Sequence, residues 1–181
     1  VATRLVILDR DGVINVESDE FVKSADEWTP IDGSLQGIRL LVESGFTVAV
    51  ASNQSGLGRG LFNQEALQSM HLKMCRLVEA AGGNIDRIVV CPHRPDEGCD
   101  CRKPKPGLLL QLGSYYGVPL TGVPVVGDSA RDIEAAVAVG ARPILVLTGN
   151  GVHARAALQA GTYELCADLL DAARLLAGDG D

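Results

Sequence analysis

Near the start of the chain an apolar run, Leu5-Val6-Ile7-Leu8, ends abruptly in two carboxylates two positions apart, Asp9 and Asp11, with Gly12 directly behind them. The run reads as a buried strand, and glycine allows a sharp exit turn. Residues two apart on a strand point to the same side, so Asp9 and Asp11 can share a site at the strand's C-terminal edge. Open α/β sheets bind their ligands at that edge. Two like charges there repel unless a cation or a shared proton compensates. One carboxylate can then attack as a nucleophile while the other moves protons, and a divalent cation can hold the site together. Taken alone, the stretch also fits a solvated turn rich in Asp and Gly.

Three further apolar stretches lead into residues of matching purpose. Phe46 to Ala51 runs into Ser52-Asn53-Gln54, and Ile85 to Cys91 is followed by Arg102, Lys103 and Lys105. Val123 to Val126 runs into Gly127-Asp128, with Asp132 four residues on. In a parallel sheet these ends share one edge, so the residues can converge. Hydroxyl and backbone N–H donors at a helix start suit phosphoryl oxygens. A lysine neutralises the charge of a transferring group, and Asp128 can complete an oxygen-rich magnesium site. Each residue has a plainer reading (turn serine, solvated lysine, helix cap), but recurrence at successive strand ends argues for one site.

The loop from Cys91 to Cys101 offers a second chemistry. Cys91-Pro92-His93 followed by Cys99-Asp100-Cys101 supplies three thiolates and one imidazole, the set that zinc favours in a closed tetrahedral site. Ligands from one short loop imply a structural staple, here one that would fix the loop aiming Lys103. Cys75 and Cys166 lie among apolar neighbours and read as core residues. His71 and His153 receive no role, Trp28 reads as packing, and Arg131 as the partner of an acid. Thr148-Gly149-Asn150-Gly151 reads as a turn at a strand end.

The elements that must position these residues alternate. Helices are predicted over Gly33 to Ser44, Gln64 to Ala81 with Asn63 as cap, Pro106 to Tyr116, Arg131 to Val139, Ala154 to Ala160 and Leu169 to Leu176. A fifth strand is predicted over Pro143 to Leu147 and a short one over Tyr163 to Cys166. Gly56, Gly58 and Gly60 mark a glycine-rich loop, and the tail from Gly178 to Asp181 should fray. Strands alternating with helices give a three-layer, Rossmann-like parallel sheet covered on both faces. There is no room for a large inserted cap; Val16 to Asp32 is the longest patternless segment and suits a flap over the site.

Composition narrows the class. The chain has 181 residues, of which 46% are hydrophobic, which fits a single domain over residues 1–181 with a real core. A net charge of -7, from 16 basic and 23 acidic residues, argues against a nucleic-acid partner. A small anionic substrate needs only a few local cations. No apolar stretch approaches the length of a membrane span, and no signal-peptide pattern is visible. Five cysteines, three of them crowded into one loop, point to reduced thiols and the cytoplasm.

The order Asp9-x-Asp11-Gly12, then Ser52, then Lys103, then Gly127-Asp128-x-x-x-Asp132 resembles the haloacid dehalogenase-like phosphotransferases, and the match spans roughly Leu5 to Leu147. The resemblance implies Asp9 as the nucleophile that takes the phosphoryl group and Asp11 as the acid, then the base. It implies Ser52 and Lys103 as holders of the phosphoryl oxygens. It places magnesium on Asp9, the backbone carbonyl of Asp11 and Asp128, with Asp132 behind them. Cys-Pro-His with Cys-x-Cys-Arg-Lys-Pro is similar to two sister groups, the histidinol-phosphate phosphatases and the D,D-heptose 1,7-bisphosphate phosphatases. Asn53-Gln54-Ser55-Gly56 with Arg59-Gly60 resembles the heptose group more closely. That resemblance implies hydrolysis at C7 of a phosphorylated sugar held by Asn53, Gln54, Ser55, Arg59, Arg102 and Lys103, with Glu17 to Phe21 reading its hydroxyls. The short zinc loop, five residues between His93 and Cys99, departs from some heptose enzymes. The chain is expected to act as a monomer. The competing readings are a histidinol-phosphate phosphatase and a phospho-acceptor or binding module without turnover. Asp11 argues against the last, because a stable aspartyl phosphate needs no general acid.

Overall fold

The computed structural model describes residues 3–178. Six parallel strands form one sheet in the order β3-β2-β1-β4-β5-β6. They are β1 (Leu5–Leu8), β2 (Thr47–Asn53), β3 (Arg87–Cys91), β4 (Pro124–Gly127), β5 (Arg142–Val146) and β6 (Glu164–Cys166). Among the described residues seven α-helices accompany them, the last following β6: α1 (Ser34–Glu43), α2 (Ser55–Gly58), α3 (Gln64–Ala80), α4 (Gly107–Tyr116), α5 (Ala130–Ala138), α6 (Gly151–Ala157) and α7 (Leu169–Gly178).

Alternation along β1 explains why the sheet has two covered faces. Val6 and Leu8 pack into one core with Ile38 of α1, Met70 and Met74 of α3, and Leu176 of α7. Leu5 and Ile7 pack into the opposite core with Leu108 and Leu112 of α4 and Ala135 of α5. A strand buried on both sides must be apolar throughout, and β1 is. The strand order turns back on itself between β1 and β4, which is the position where such sheets open a ligand crevice.

Most predicted elements stand within a residue or two of their expected bounds. β2 runs two residues beyond Ala51, because Ser52 and Asn53 stay in register with Val90 and Cys91 of β3. The expected glycine-rich loop contains the single helical turn α2, and α6 begins three residues earlier than Ala154, at Gly151. Gly151 sits against the main chain of β5, where a Cβ would lie 1.8 Å from the Val146 carbonyl oxygen. Among the described residues no large cap is inserted. The segment after Asp11 is anchored at its far end: Ile31 N–H donates to Ile14, Trp28 is fully buried, and Lys73 of α3 donates to the Ala25 and Trp28 carbonyls. Its near end, Glu17 to Val22, faces the crevice. Asp179 to Asp181, where fraying was expected, lie outside the described residues.

Candidate active site

Asp9 leaves β1 still paired to the sheet, its N–H donating to Val126 of β4, and its carboxylate accepts from Arg10 N–H at 2.8 Å. Lys103 reaches it from the loop after β3. Lys103 is 3% exposed, and its ammonium lies 3.0 Å from Asp9, 2.6 Å from Asp132 and 2.8 Å from the Ala51 carbonyl. Asn53 fixes the Lys103 backbone from both sides, accepting from its N–H and donating to its C=O, each at 3.1 Å. Asp132 is fixed in turn by the Ser129 N–H and hydroxyl, which cap α5. Burial opposes the charge on Lys103, but Asp132 and Asp9 outweigh it and raise its proton affinity.

Asp128, at the end of β4, completes the acidic group. One carboxylate oxygen from each of Asp9, Asp128 and Asp132 falls within 4.8 Å of the others. Gly12 and Gly149 make room for it: both have positive φ, and a Cβ on either would come within 2.0 and 2.2 Å of Asp128 Oδ2. Asn150 N–H donates to the same oxygen at 2.8 Å, and the Thr148 hydroxyl ties this turn to the Gly12 carbonyl. Burial and then Asp132 push Asp9 up to about 7; burial and then Asp9 push Asp128 up to about 9. One lysine thus faces three carboxylates. Lys103 and Ser129 already occupy Asp132, which leaves Asp9 and Asp128 as a hard oxygen pair short of positive charge. That donor set fits magnesium.

The Asp11 carboxylate is not part of this cluster, though it lines the same cavity. Arg10 grips its carboxylate with Nη2 at 2.8 and 3.1 Å and with Nε at 3.3 Å. Asn15 donates at 2.9 Å and Gln54 at 2.8 Å. Burial would raise the Asp11 carboxyl, but Arg10 and the two amides hold it below the usual carboxylate range. Gln54 also donates to the Ser52 hydroxyl at 2.8 Å, and Ser52 is buried at the end of β2.

These groups line one cavity of about 360 Å³. Glu17, Asn53, Gln54, Ser55, Arg59 and Arg102, all singled out in the sequence, lie on its wall. Glu17 pairs with the Asn150 amide, and burial, then Asp11, raise its carboxyl. Arg59 extends over the Phe21 ring at 5.9 Å, and Arg102 donates to the His93 carbonyl at 3.4 Å. Arg131, expected to pair with an acid, forms no ion pair among the described residues and lines the same cavity. Among the described residues, three guanidinium groups that form no ion pair within hydrogen-bonding reach of a carboxylate therefore face this largely acidic site, Arg131 acting on Glu17 only at longer range. Arg10 and His71 were not legible as site residues; a charge beside Asp11 was visible, but its burial was not.

Behind Lys103, Cys91, His93, Cys99 and Cys101 bring four donor atoms within 4.8 Å of one another. His93 Nδ1 lies 3.5 Å from the Cys91 sulfur and 3.3 Å from that of Cys101. The Cys91 sulfur is 3.1 Å from Cys101 and 3.6 Å from Cys99. Burial, then the Cys101 thiol, push the Cys91 thiol up to about 12, whereas at Cys99 burial is outweighed by backbone and thiol hydrogen bonds that draw it down to about 7, so it is the Cys91 sulfur that needs a cation to stay a thiolate.

Comparison with known proteins agrees with this geometry. A HAD-hydrolase-like family profile matches residues 100–172. The D-glycero-beta-D-manno-heptose-1,7-bisphosphate 7-phosphatase of Pseudomonas aeruginosa is 55% identical over 82% of this chain and 84% of its own length. The protein of that name from Bordetella bronchiseptica is 51% identical over 96% of this chain and 97% of its own. The crystal structure of D,D-heptose 1,7-bisphosphate phosphatase from B. bronchiseptica, complexed with magnesium and phosphate, superposes with a TM-score of 0.95 at 48% identity, covering 98% of this chain and 99% of that one.

Proposed function

Because the chain belongs to the haloacid dehalogenase-like hydrolases, in the family of the D-glycero-beta-D-manno-heptose-1,7-bisphosphate 7-phosphatases, we propose that it hydrolyses the C7 phosphate of that sugar bisphosphate. The product is heptose 1-phosphate, a precursor for nucleotide-activated heptose and lipopolysaccharide. The observation that supports a bisphosphate is the pairing of two anion sites in one cavity. The Asp9–Lys103–Asp128 centre takes the reacting phosphate, and Arg59, Arg102 and Arg131, which form no ion pair with a carboxylate among the described residues, take the other. Charge-assisted contacts of that kind favour the bisphosphate over a product that lacks the second phosphate.

In this reading Asp9 attacks phosphorus and the sugar oxygen departs with a proton from Asp11. Water then attacks the aspartyl phosphate, Asp11 accepts its proton, and the bond to Asp9 breaks. Asp11 is an acceptor in the free protein, and the phosphate dianion arriving beside it raises its proton affinity for the first step. A positioned acid contributes about 100- to 10,000-fold when the leaving group is an alkoxide. Lys103 and the Ser52 hydroxyl hold the phosphoryl oxygens. Asp9, Asp128 and the Asp11 carbonyl would hold magnesium, which when bound offsets the acidic group and polarises the phosphoryl oxygens. Asn53 supports this by fixing Lys103, and Glu17 borders the sugar.

The same reading makes Cys91, His93, Cys99 and Cys101 a structural zinc site that sets the loop carrying Arg102 and Lys103. It treats residues 1–181 as one catalytic domain, acting as a cytoplasmic monomer without nucleic-acid or membrane partners. No helix among the described residues is long and apolar enough to cross a membrane. The test is release of inorganic phosphate from the heptose bisphosphate with magnesium. Release that stops in chelator and in Asp9→Asn, with the circular dichroism of the variant unchanged, is the expected result. Near-native turnover by Asp9→Asn would exclude the covalent route.

A further inference from the structure

Arg10 is 1% exposed, yet it lies between the two catalytic aspartates on a loop at the sheet edge. A guanidinium donates only, so every contact it makes needs an acceptor. On one side it grips both oxygens of Asp11. On the other its Nη1 lies 3.4 Å from Nε2 of His71, in the middle of α3. Since arginine cannot accept, His71 must present a lone pair at Nε2 and carry its proton at Nδ1. Burial and then Arg10 hold the imidazole down to about 4, which keeps it neutral. His71 does not line the substrate cavity.

The contacts on Asp11 are all donors: Arg10 Nε and Nη2, Asn15 Nδ2 and Gln54 Nε2. A carboxyl gripped in this way is oriented as a proton acceptor. We infer that Arg10, anchored by His71, is a positioning residue that aims the Asp11 carboxylate for the hydrolysis of the phosphoenzyme. The inference rests on the covalent reading above. In that step a water oxygen forms a bond to phosphorus, the phosphorus–oxygen bond to Asp9 breaks with its electrons returning to Asp9, and the water proton passes to Asp11.

An aryl phosphate separates the two halves of the reaction, because nitrophenolate leaves without an acid and phosphoenzyme formation then makes little demand on Asp11. With p-nitrophenyl phosphate and magnesium, His71→Leu should lower kcat and KM together by about tenfold, the order that loss of an outer hydrogen-bond partner costs. Their ratio should stay within about twofold, since kcat/KM reports only the first half-reaction here. Acid-quenched samples should show phosphoenzyme by intact mass, as should Arg10→Lys, which keeps the charge and loses the fork. His71→Gln, which offers an acceptor oxygen, should recover most of the rate. Adding His71→Leu to Arg10→Lys should cost little more, because both act on one contact. Phosphoenzyme in Asp11→Asn but not in the Arg10 or His71 variants would overturn the inference alone, as would a rise in KM. Absence of phosphoenzyme from Asp11→Asn as well would overturn the covalent reading and the inference with it.

Discussion

Replacing Lys103 by methionine removes the ammonium that faces the buried Asp132 and the partly buried Asp9, and its cost can be worked from the contacts. Lys103 Nζ donates to Asp132 at 2.6 Å, to Asp9 at 3.0 Å and to the Ala51 carbonyl at 2.8 Å. Asp132 keeps the two Ser129 donors and Asp9 keeps the Arg10 N–H, so neither is left bare. Stripping one partner from a buried ion pair nevertheless costs about 3–5 kcal/mol. For a chain of this size that is a fall of roughly 10 °C in Tm. The loss should be greater at high pH. Without the ammonium the folded protein holds protons on Asp9 and Asp128 that the unfolded chain releases, so stability declines as pH rises. Activity should fall further than stability, by about 100- to 1,000-fold in kcat, because charge stabilisation of the transferring group is lost. Thermal melts by circular dichroism at pH 6 and pH 9, with kcat measured on the folded variant, check both effects. A Tm within about 2 °C of the parent, with kcat within about threefold, would refute this account of Lys103.

In magnesium-free buffer, the contribution of Asp9 and Asp128 to stability should be full below about pH 4 and be lost as pH rises through 7 towards 9, because both sit above their ordinary value of 3.8. Added magnesium should flatten that decline, and denaturant titrations across this range measure it. Elemental analysis after gel filtration without added zinc should find about one zinc per chain, and Cys99→Ser should lose it and melt roughly 10 °C lower. Zinc-free protein of unchanged stability would exclude the staple. Arg131→Ala and Arg102→Ala should each raise KM for the bisphosphate by about tenfold or more while leaving a simple ester within about twofold. Steady-state kinetics on the two substrates separate these outcomes.

The sheet was legible because strands buried on both faces must be apolar along their whole length, and Leu5–Leu8 and Pro124–Gly127 are. The convergence of Asp9, Lys103 and Asp128 followed from strand ends sharing an edge. What escaped the sequence depends on direction and burial, which residue type does not encode. Arg10 carries no signal of its own in the sequence, and its side chain turns inward to Asp11 and His71. Asn53 was expected to bind substrate, and both its amide atoms are spent on the Lys103 backbone. Arg131, the second residue of α5, differs from a solvated helix residue only through the cavity it borders. The single turn of α2 contains two glycines in four residues, a composition that ordinarily argues against a helix.

The most direct test of the proposed activity compares kcat/KM for D-glycero-D-manno-heptose 1,7-bisphosphate with that for histidinol phosphate and fructose 1,6-bisphosphate under magnesium, with the product identified by phosphorus NMR. The cavity joins the Asp9 centre to three arginines that have no carboxylate ion-pair partner among the described residues, which predicts a preference of about 100-fold or more for the heptose bisphosphate over histidinol phosphate, the order two charge-assisted contacts to a second phosphate supply. The product should retain its phosphate on C1. A preference for histidinol phosphate, or a product that retains the C7 phosphate, would contradict it.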